Sequence, residues 1–175
     1  METLTNAPAV RLALVGVSRD CFPIDLTRKR LAALAAACDE AGLNTVGLET
    51  IIENEADATQ ALCEASAKDC NAAVVYLGNF GPEGPLSIFA ERFAGPVMAC
   101  AAAEESGDDL VSGRGDAFCG MLNASINFSL RSVAVYIPPR PVGLPSQLVE
   151  TIRDFSLVAR VQLGVAGLKI FAFGP

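Results

Sequence analysis

Arg11-Leu-Ala-Leu-Val-Gly-Val17 is the stretch that decides the fold, because it is apolar almost without interruption and has a glycine near its end. A run of this kind suits a strand that is buried on both faces, as in a parallel sheet covered by helices on each side. Similar runs recur at 44–48, 72–77, 96–100 and 132–137. The recurrence predicts at least five strands that share one buried sheet.

Helix-like patterns fill the gaps between these runs. We expect Thr27 to cap the first helix, a short helix at 86–93, and Asp116 to cap an apolar helix that ends near Leu130. The clearest pattern covers 148–163, where apolar residues recur every three to four positions. The alternation predicts an α/β fold with three layers, α/β/α, around a mainly parallel, doubly wound sheet of five to six strands, as in flavodoxin-like and Rossmann-like folds.

Composition and charge limit the function classes. Of 175 residues, 51% are hydrophobic and 19% are charged, which is typical of a globular domain. Thirteen basic and twenty acidic residues give a net charge of −7, so neither nucleic acid nor an anionic membrane is an expected partner. The basic run at 28–30 is interpreted as a solvated helix start. Residues 1–10 show no export signal and no apolar run could span a bilayer, so we expect a cytoplasmic protein.

The sequence predicts one large domain and a short segment after it. We predict one α/β domain over 1–166, followed at 167–175 by the start of a further domain or by a last strand of the same sheet. The segment Lys169-Ile-Phe-Ala-Phe-Gly174 echoes the opening of the first strand, with a basic residue, four apolar residues and a glycine. A second similar domain, a sixth strand and chance all remain open as explanations.

A self-sufficient catalytic site is not expected in this chain. The sequence contains no histidine, and its six cysteines include no Cys-x-x-Cys pair. The usual zinc ligand sets, Ser-His-Asp arrangements and evident acid/base pairs are therefore missing. We predict no catalytic residue and no metal ligand within these 175 residues.

Candidate binding residues come from the loops that follow the strands, because open parallel sheets bind ligands beyond the carboxyl ends of their strands. After the first strand, Arg19 can grip a hydroxyl or carboxylate and Asp20 can accept hydrogen bonds from sugar hydroxyls. After the third, Asn79 offers an amide and Phe80 an aromatic platform for a polyol. Asp116 precedes a helix and is a further candidate. A solvated turn, a tight glycine turn and helix capping are the respective structural alternatives.

The chain resembles the amino-terminal domain of L-fucose/L-arabinose isomerase-like proteins in three stretches. They are Leu12-Ala-Leu-Val-Gly-Val-Ser-Arg-Asp20, Gly115-Asp-Ala-Phe-Cys-Gly-Met-Leu-Asn-Ala-Ser125 with the strand from Arg131 to Ile137, and Gly167-Leu-Lys-Ile-Phe-Ala-Phe-Gly-Pro175. The resemblance implies a three-domain, hexameric or otherwise oligomeric enzyme that interconverts an aldose and a ketose.

By the same resemblance, a divalent metal, usually Mn²⁺, is held by carboxylates and a histidine in the other two domains. The amino-terminal domain leans over the active site of an adjacent subunit and contacts the monosaccharide, for which the loops at Arg19 and Asn79 are the candidates. The chain alone is then expected to be inactive.

Two other readings stay open at this point. One is a free-standing flavodoxin-like or receiver-like module that binds a small ligand or partner, although Asp20 stands alone where receiver domains cluster acidic residues. The other is half of a sugar-binding protein, built like periplasmic ones from paired α/β domains around a cleft and acting as a cytoplasmic regulator.

Overall fold

The computed structural model describes residues 7–105 and 114–174, in which five strands alternate with five helices. The strands are β1 (Leu12–Val17), β2 (Thr45–Gly47), β3 (Ala72–Leu77), β4 (Val97–Ala102) and β5 (Val142–Gly143). The helices are α1 (Ile24–Glu40), α2 (Glu55–Ala67), α3 (Glu83–Arg92), α4 (Ala117–Leu130) and α5 (Pro145–Ala166).

All strand pairs are parallel, and the strand order is β2-β1-β3-β4-β5. Every residue of β1, β3 and β4 is buried, because α1 and α5 pack together on one face of the sheet while α3 packs between α2 and α4 on the other. The three-layer, parallel, doubly wound fold predicted from the sequence is confirmed.

The strand order places a crevice between β1 and β3. The chain leaves β1 toward β2 on one side and later returns to β3 on the other, so the connections diverge at this point. Val17 and Leu77, the last residues of the two strands, are register partners. The loops that follow β1 and β3 therefore start at the same level and lie side by side.

The fifth strand lies elsewhere than predicted. The run 132–137 contacts β4 only through an isolated bridge between Tyr136 and Met98, and regular pairing resumes at β5. Pro138, Pro139 and Pro141 separate the two contacts. Proline has no N–H to donate, so a continuous ladder cannot form through this segment.

The bounds of two helices also differ from the prediction. Helix α1 begins at Ile24 after Pro23, so Thr27 does not cap it but lies buried inside it, against Gly78 of the loop after β3. Helix α3 begins at Glu83, since Pro85 is tolerated in a first helical turn.

Residues 168–173 do not join the sheet, so the prediction of a sixth strand there is wrong. Leu168, Ile170, Phe171 and Phe173 are 65% to 94% exposed. The other reading, that this segment starts a following domain, stays a prediction. In the described ranges, no helix combines the length and apolarity that crossing a membrane requires.

Candidate functional site

Asn79 ties the loops after β1 and β3 together. Its side chain is fully buried; Oδ1 accepts hydrogen bonds from the backbone N–H groups of Arg19 at 2.8 Å and Gly81 at 3.2 Å, and Nδ2 donates to Ser18 Oγ at 2.8 Å. Gly81 adopts a left-handed backbone with φ of 67°, which glycine accommodates without strain. Asn79 thus shapes the site from inside and does not present its amide to solvent.

Arg19 is packed rather than solvated. Its Nε and Nη2 donate to the carbonyl oxygen of Gly81 at 3.2 and 3.0 Å, and Nη2 forms an ion pair with Glu83 in the first turn of α3. The guanidinium carbon lies 4.6 Å from the ring centroid of Phe80, a cation–π contact. These contacts leave the Nη1 donors of Arg19 without a hydrogen bond to any described residue.

Phe80 and Phe22 form the aromatic part of the site. Their rings are nearly parallel, with centroids 6.2 Å apart and an interplanar angle of 12°. Phe80 is half-buried, and Asp20, on the neighbouring loop, is exposed with no ion pair to the described residues. The structure brings Arg19, Asn79 and Phe80 together and leaves Asp20 at the rim.

Arg30 and Glu104, which the sequence did not single out, join this edge to β4 and α4. Arg30 is only 5% exposed, so the interpretation of 28–30 as a solvated run is wrong for Arg30, although Arg28 and Lys29 are exposed. Its Nη1 donates to the carbonyl oxygen of Gly78 at 2.8 Å, and its Nη2 pairs with Glu104. The other carboxylate oxygen of Glu104 accepts the backbone N–H groups of Gly115 and Asp116, both at 3.0 Å.

A sequence signal for Arg30 existed. It precedes Leu34 by one helical turn, so it shares the face of α1 that packs on the sheet. An arginine on such a face must find a buried acceptor or carboxylate. Its partner follows 74 residues later, and no local pattern identifies it.

Asp116 is at the predicted start of α4 but does not cap it with its side chain. Its backbone is left-handed, with φ of 52°, and its carboxylate accepts hydrogen bonds from Arg114 at 2.6 to 3.0 Å. Glu104 instead accepts the two backbone N–H groups just before the helix, those of Gly115 and Asp116. Asp116 is linked to the site through the carboxylate of Glu104, which accepts its backbone N–H and pairs with Arg30.

Two glycines let α4 and the loop after β3 approach closely. A Cβ added to Gly120 would lie 1.8 Å from the carbonyl oxygen of Phe80, and one added to Gly115 would lie 2.5 Å from Arg30 Nη1. The backbone beneath the Phe80 ring is therefore fixed by direct contact with α4.

Glu64 supports the loop after β2, at the same edge of the sheet. Its carboxylate accepts the N–H groups of Glu49 at 2.7 Å and Thr50 at 3.1 Å, and the ammonium of Lys68 at 2.8 Å. Partial burial acts to raise the pKa of Glu64, but the hydrogen bonds from Lys68, Glu49 and Thr50 outweigh it and lower the pKa to about 2.

The buried ionisable groups of the core offer no activated nucleophile. Burial, with a smaller contribution from Asp39, raises the pKa of Cys38 to about 11, and burial also raises the pKa values of Cys100 and Tyr76. Their thiols and phenol stay protonated near neutral pH. Within the described ranges, no group of three or more His, Cys, Asp or Glu side chains could hold a metal ion.

The three arginines described at this edge are each paired with a carboxylate. Arg19 pairs with Glu83, Arg30 with Glu104 and Arg114 with Asp116. What remains available to a ligand is an aromatic ring, guanidinium donors already offset by a carboxylate, and the exposed Asp20. This chemistry suits a small polar molecule with hydroxyl groups more than a strong anion.

A comparison with family models adds the identity of the domain. Residues 13–166 match the model described as fucose/sulfoquinovose isomerase, N-terminal domain. No curated protein matches the chain at a significant level. The match covers most of the chain and ends at the last residue of α5, so the chain belongs to the fucose/sulfoquinovose isomerase N-terminal domain family.

Proposed function

We propose that this chain is the sugar-contacting domain of an aldose–ketose isomerase whose chemistry is carried by residues outside it. The observation that carries the proposal is Arg19, held over the ring of Phe80 in the crevice between β1 and β3. Doubly wound sheets with this strand order bind their ligands at that crevice. The family to which the chain belongs supplies the reaction class.

The two side chains have complementary tasks in this proposal. The ring of Phe80 offers an apolar face to the C–H groups of a pyranose or open-chain sugar, and the free Nη1 donors of Arg19 reach its hydroxyl oxygens. Asn79, through its bonds to the backbone of Arg19 and Gly81, fixes the two loops before a sugar arrives. Such preorganisation limits the entropy lost on binding.

A neutral sugar fits this edge better than an anionic one. Each arginine described there is paired with a carboxylate, and the chain has a net charge of −7. A sulfonated sugar would need an unpaired cation to repay its desolvation. We therefore assign this chain to the neutral pentose or 6-deoxyhexose class of substrate.

The divalent metal implied by the family resemblance does not fit the residues described. They provide no set of convergent carboxylate, imidazole or thiolate donors, and the whole sequence lacks histidine. No step of the proposed function passes through a metal held by this chain. Purified chain supplied with Mn²⁺ and a panel of pentoses and 6-deoxyhexoses should form no ketose, and ketose accumulation would contradict this division of labour.

Titration of the ¹⁵N-labelled chain with L-fucose or L-arabinose, followed by NMR, tests the sugar contact. We expect shifts confined to the amides of the β1 and β3 loops, with a Kd of about 1–10 mM, because two side chains contribute only about 3–4 kcal/mol. Arg19→Gln should weaken binding severalfold.

The matched control is Arg28→Gln, which removes an exposed arginine from α1 whose ion pair among the described residues is with Asp25. It should leave the titration unchanged. Shifts at another surface, or equal effects of the two variants, would overturn the assignment of this edge.

A further inference from the structure

The loop after β3, residues 78–81, lies in close contact with α1 on one side and with α4 on the other. A Cβ added to Gly78 would lie 2.6 Å from the Cα atom of Thr27 in α1. A Cβ added to Gly120 of α4 would lie 1.8 Å from the carbonyl oxygen of Phe80. The two helices therefore determine where the backbone of Phe80 lies, because both contacts are made to backbone atoms, which cannot turn aside as a side chain can.

Glu104, which follows the end of β4, links the same two helices. One of its carboxylate oxygens, Oε2, pairs with Nη2 of Arg30 in α1, and Nη1 of Arg30 donates to the carbonyl oxygen of Gly78 at 2.8 Å. The other oxygen, Oε1, accepts the backbone N–H groups of Gly115 and Asp116, just before α4, both at 3.0 Å. A single side chain thus holds α1 and α4 together around the loop that carries Phe80.

We propose that Glu104 is the positioning residue that sets the ring of Phe80 against Arg19. This inference rests on the proposed sugar contact and adds the group that fixes its geometry before a ligand arrives. The guanidinium carbon of Arg19 lies 4.6 Å from the ring centroid of Phe80. A binding arrangement of this kind is maintained only when its supporting groups hold it within about 0.5 Å.

The role of Glu104 requires its charge as well as its length. Arg30 is only 5% exposed, so its guanidinium depends on a carboxylate partner. The carboxylate of Glu104 meets N–H donors on both sides, those of Arg30 on one and those of Gly115 and Asp116 on the other. Glu104→Gln turns an NH2 group toward one of these two sets of donors, so that link is lost while the volume of the side chain is kept.

Asp57 provides a matched comparison at another helix. Its Oδ2 accepts the backbone N–H groups of Glu53 and Asn54 at 3.1 and 3.2 Å, at the start of α2. These contacts are of the same kind as those that Glu104 makes before α4. Asp57→Asn should lower the melting temperature slightly, because it removes a negative charge from the first turn of α2. It should leave the ring of Phe80 in place.

NMR spectra of the free ¹⁵N-labelled chain detect the position of Phe80 without a sugar. The Nε–H of Arg19, which donates to Gly81, should resonate upfield of the other arginine Nε–H groups because of the ring current of Phe80. Arg19→Gln should remove this signal and Phe80→Leu should return it to the ordinary range, which establishes what the signal reports. We expect Glu104→Gln to move the signal toward the ordinary range and Asp57→Asn to leave it unchanged.

Titration of the same variants with L-fucose measures the consequence for binding. Glu104→Gln should raise the Kd about fivefold, and Asp57→Asn should leave it at the wild-type value. An Arg19 signal that Glu104→Gln does not move, or that both variants move equally, would overturn the proposal. A wild-type chain that binds no sugar, or a Kd that stays constant while the signal moves, would contradict the proposed function instead, and the signal alone then decides the role of Glu104.

A second variant keeps the test valid if Glu104→Gln does not fold. The single change leaves the buried guanidinium of Arg30 unpaired, whereas Arg30→Met/Glu104→Gln removes that cation as well. The double variant still deprives the carbonyl oxygen of Gly78 of its donor. Its Arg19 signal should therefore also move toward the ordinary range, and a signal at the wild-type position would overturn the proposal.

Discussion

At the carboxyl edge of the sheet, three arginines each pair with a carboxylate, whereas α4, which begins at that edge, carries no charged residue. The outer side of α4 exposes Phe118, Leu122, Ile126 and Leu130. Each of the three arginines is offset by a carboxylate within the domain, so the edge can face water or a neutral sugar without a charged partner. The outer side of α4 has no charge to pair and leaves these four apolar side chains in contact with solvent in the described structure. The difference shows that the charged side chains of this part of the domain are concentrated at the sheet edge, whereas α4 is built from uncharged residues.

The largest effect should come from breaking the internal pairing of the edge. Arg30→Ala leaves Glu104 without its cation and the carbonyl oxygen of Gly78 without its donor. We expect the free energy of unfolding, measured in urea, to fall by about 3 kcal/mol. Arg28→Ala breaks an exposed ion pair two residues earlier in the same helix. It should lower the free energy of unfolding by about 0.5 kcal/mol or less. Equal losses would show that burial of Arg30 does not distinguish the two pairs.

On α4, Gly120→Ala tests the close contact between this helix and the loop after β3. The added methyl group meets the carbonyl oxygen of Phe80 and forces backbone to move, at a cost of about 2 kcal/mol in the free energy of unfolding. Gly84→Ala has open space in α3 and should instead stabilise the domain slightly. The comparison is made by thermal and urea unfolding. A neutral Gly120→Ala variant would contradict the close contact.

The smallest effect concerns pH. Because the folded pKa of Glu64 is about 2 and its ordinary value is 4.5, its contribution to stability is fully present above pH 4.5 and is lost as pH falls toward 2. Glu64→Gln should cost about 1 kcal/mol at pH 7. Unfolding curves of the two proteins from pH 7 to acid should converge. A difference that grows on acidification would contradict the proposed hydrogen bonds.

The sequence predicts the sheet better than its last strand. The runs that form β1, β3 and β4 are buried on both faces, so their continuous apolar character is a direct consequence of their position. The run 132–137 has the same character but lies beside prolines that interrupt its pairing with β4. The apolar composition of a run alone does not show whether the run pairs along its whole length. In the run 132–137 the limit comes from the prolines that follow it along the chain.

The candidate site is predicted in part for a similar reason. Arg19 and Phe80 follow two parallel strands that end at the same edge of the sheet. The order of strands and helices along the sequence is enough to predict this placement. The burial of Asn79 and Arg30 depends on partners 48 to 74 residues away, such as Glu104, and on the glycines that let helices approach. Contacts between residues so far apart in the sequence leave no periodic signal in it.

The balance of charge around Arg19 is the central claim, and the relative affinity for a neutral and a sulfonated sugar tests it most directly. We predict that wild-type chain binds L-fucose at least as tightly as sulfoquinovose. Glu83→Gln, which frees Arg19 from its ion pair, should shift the ratio of the two Kd values roughly fivefold toward the sulfonate. Tighter binding of the sulfonated sugar by wild type, or a ratio that Glu83→Gln does not change, would contradict the account.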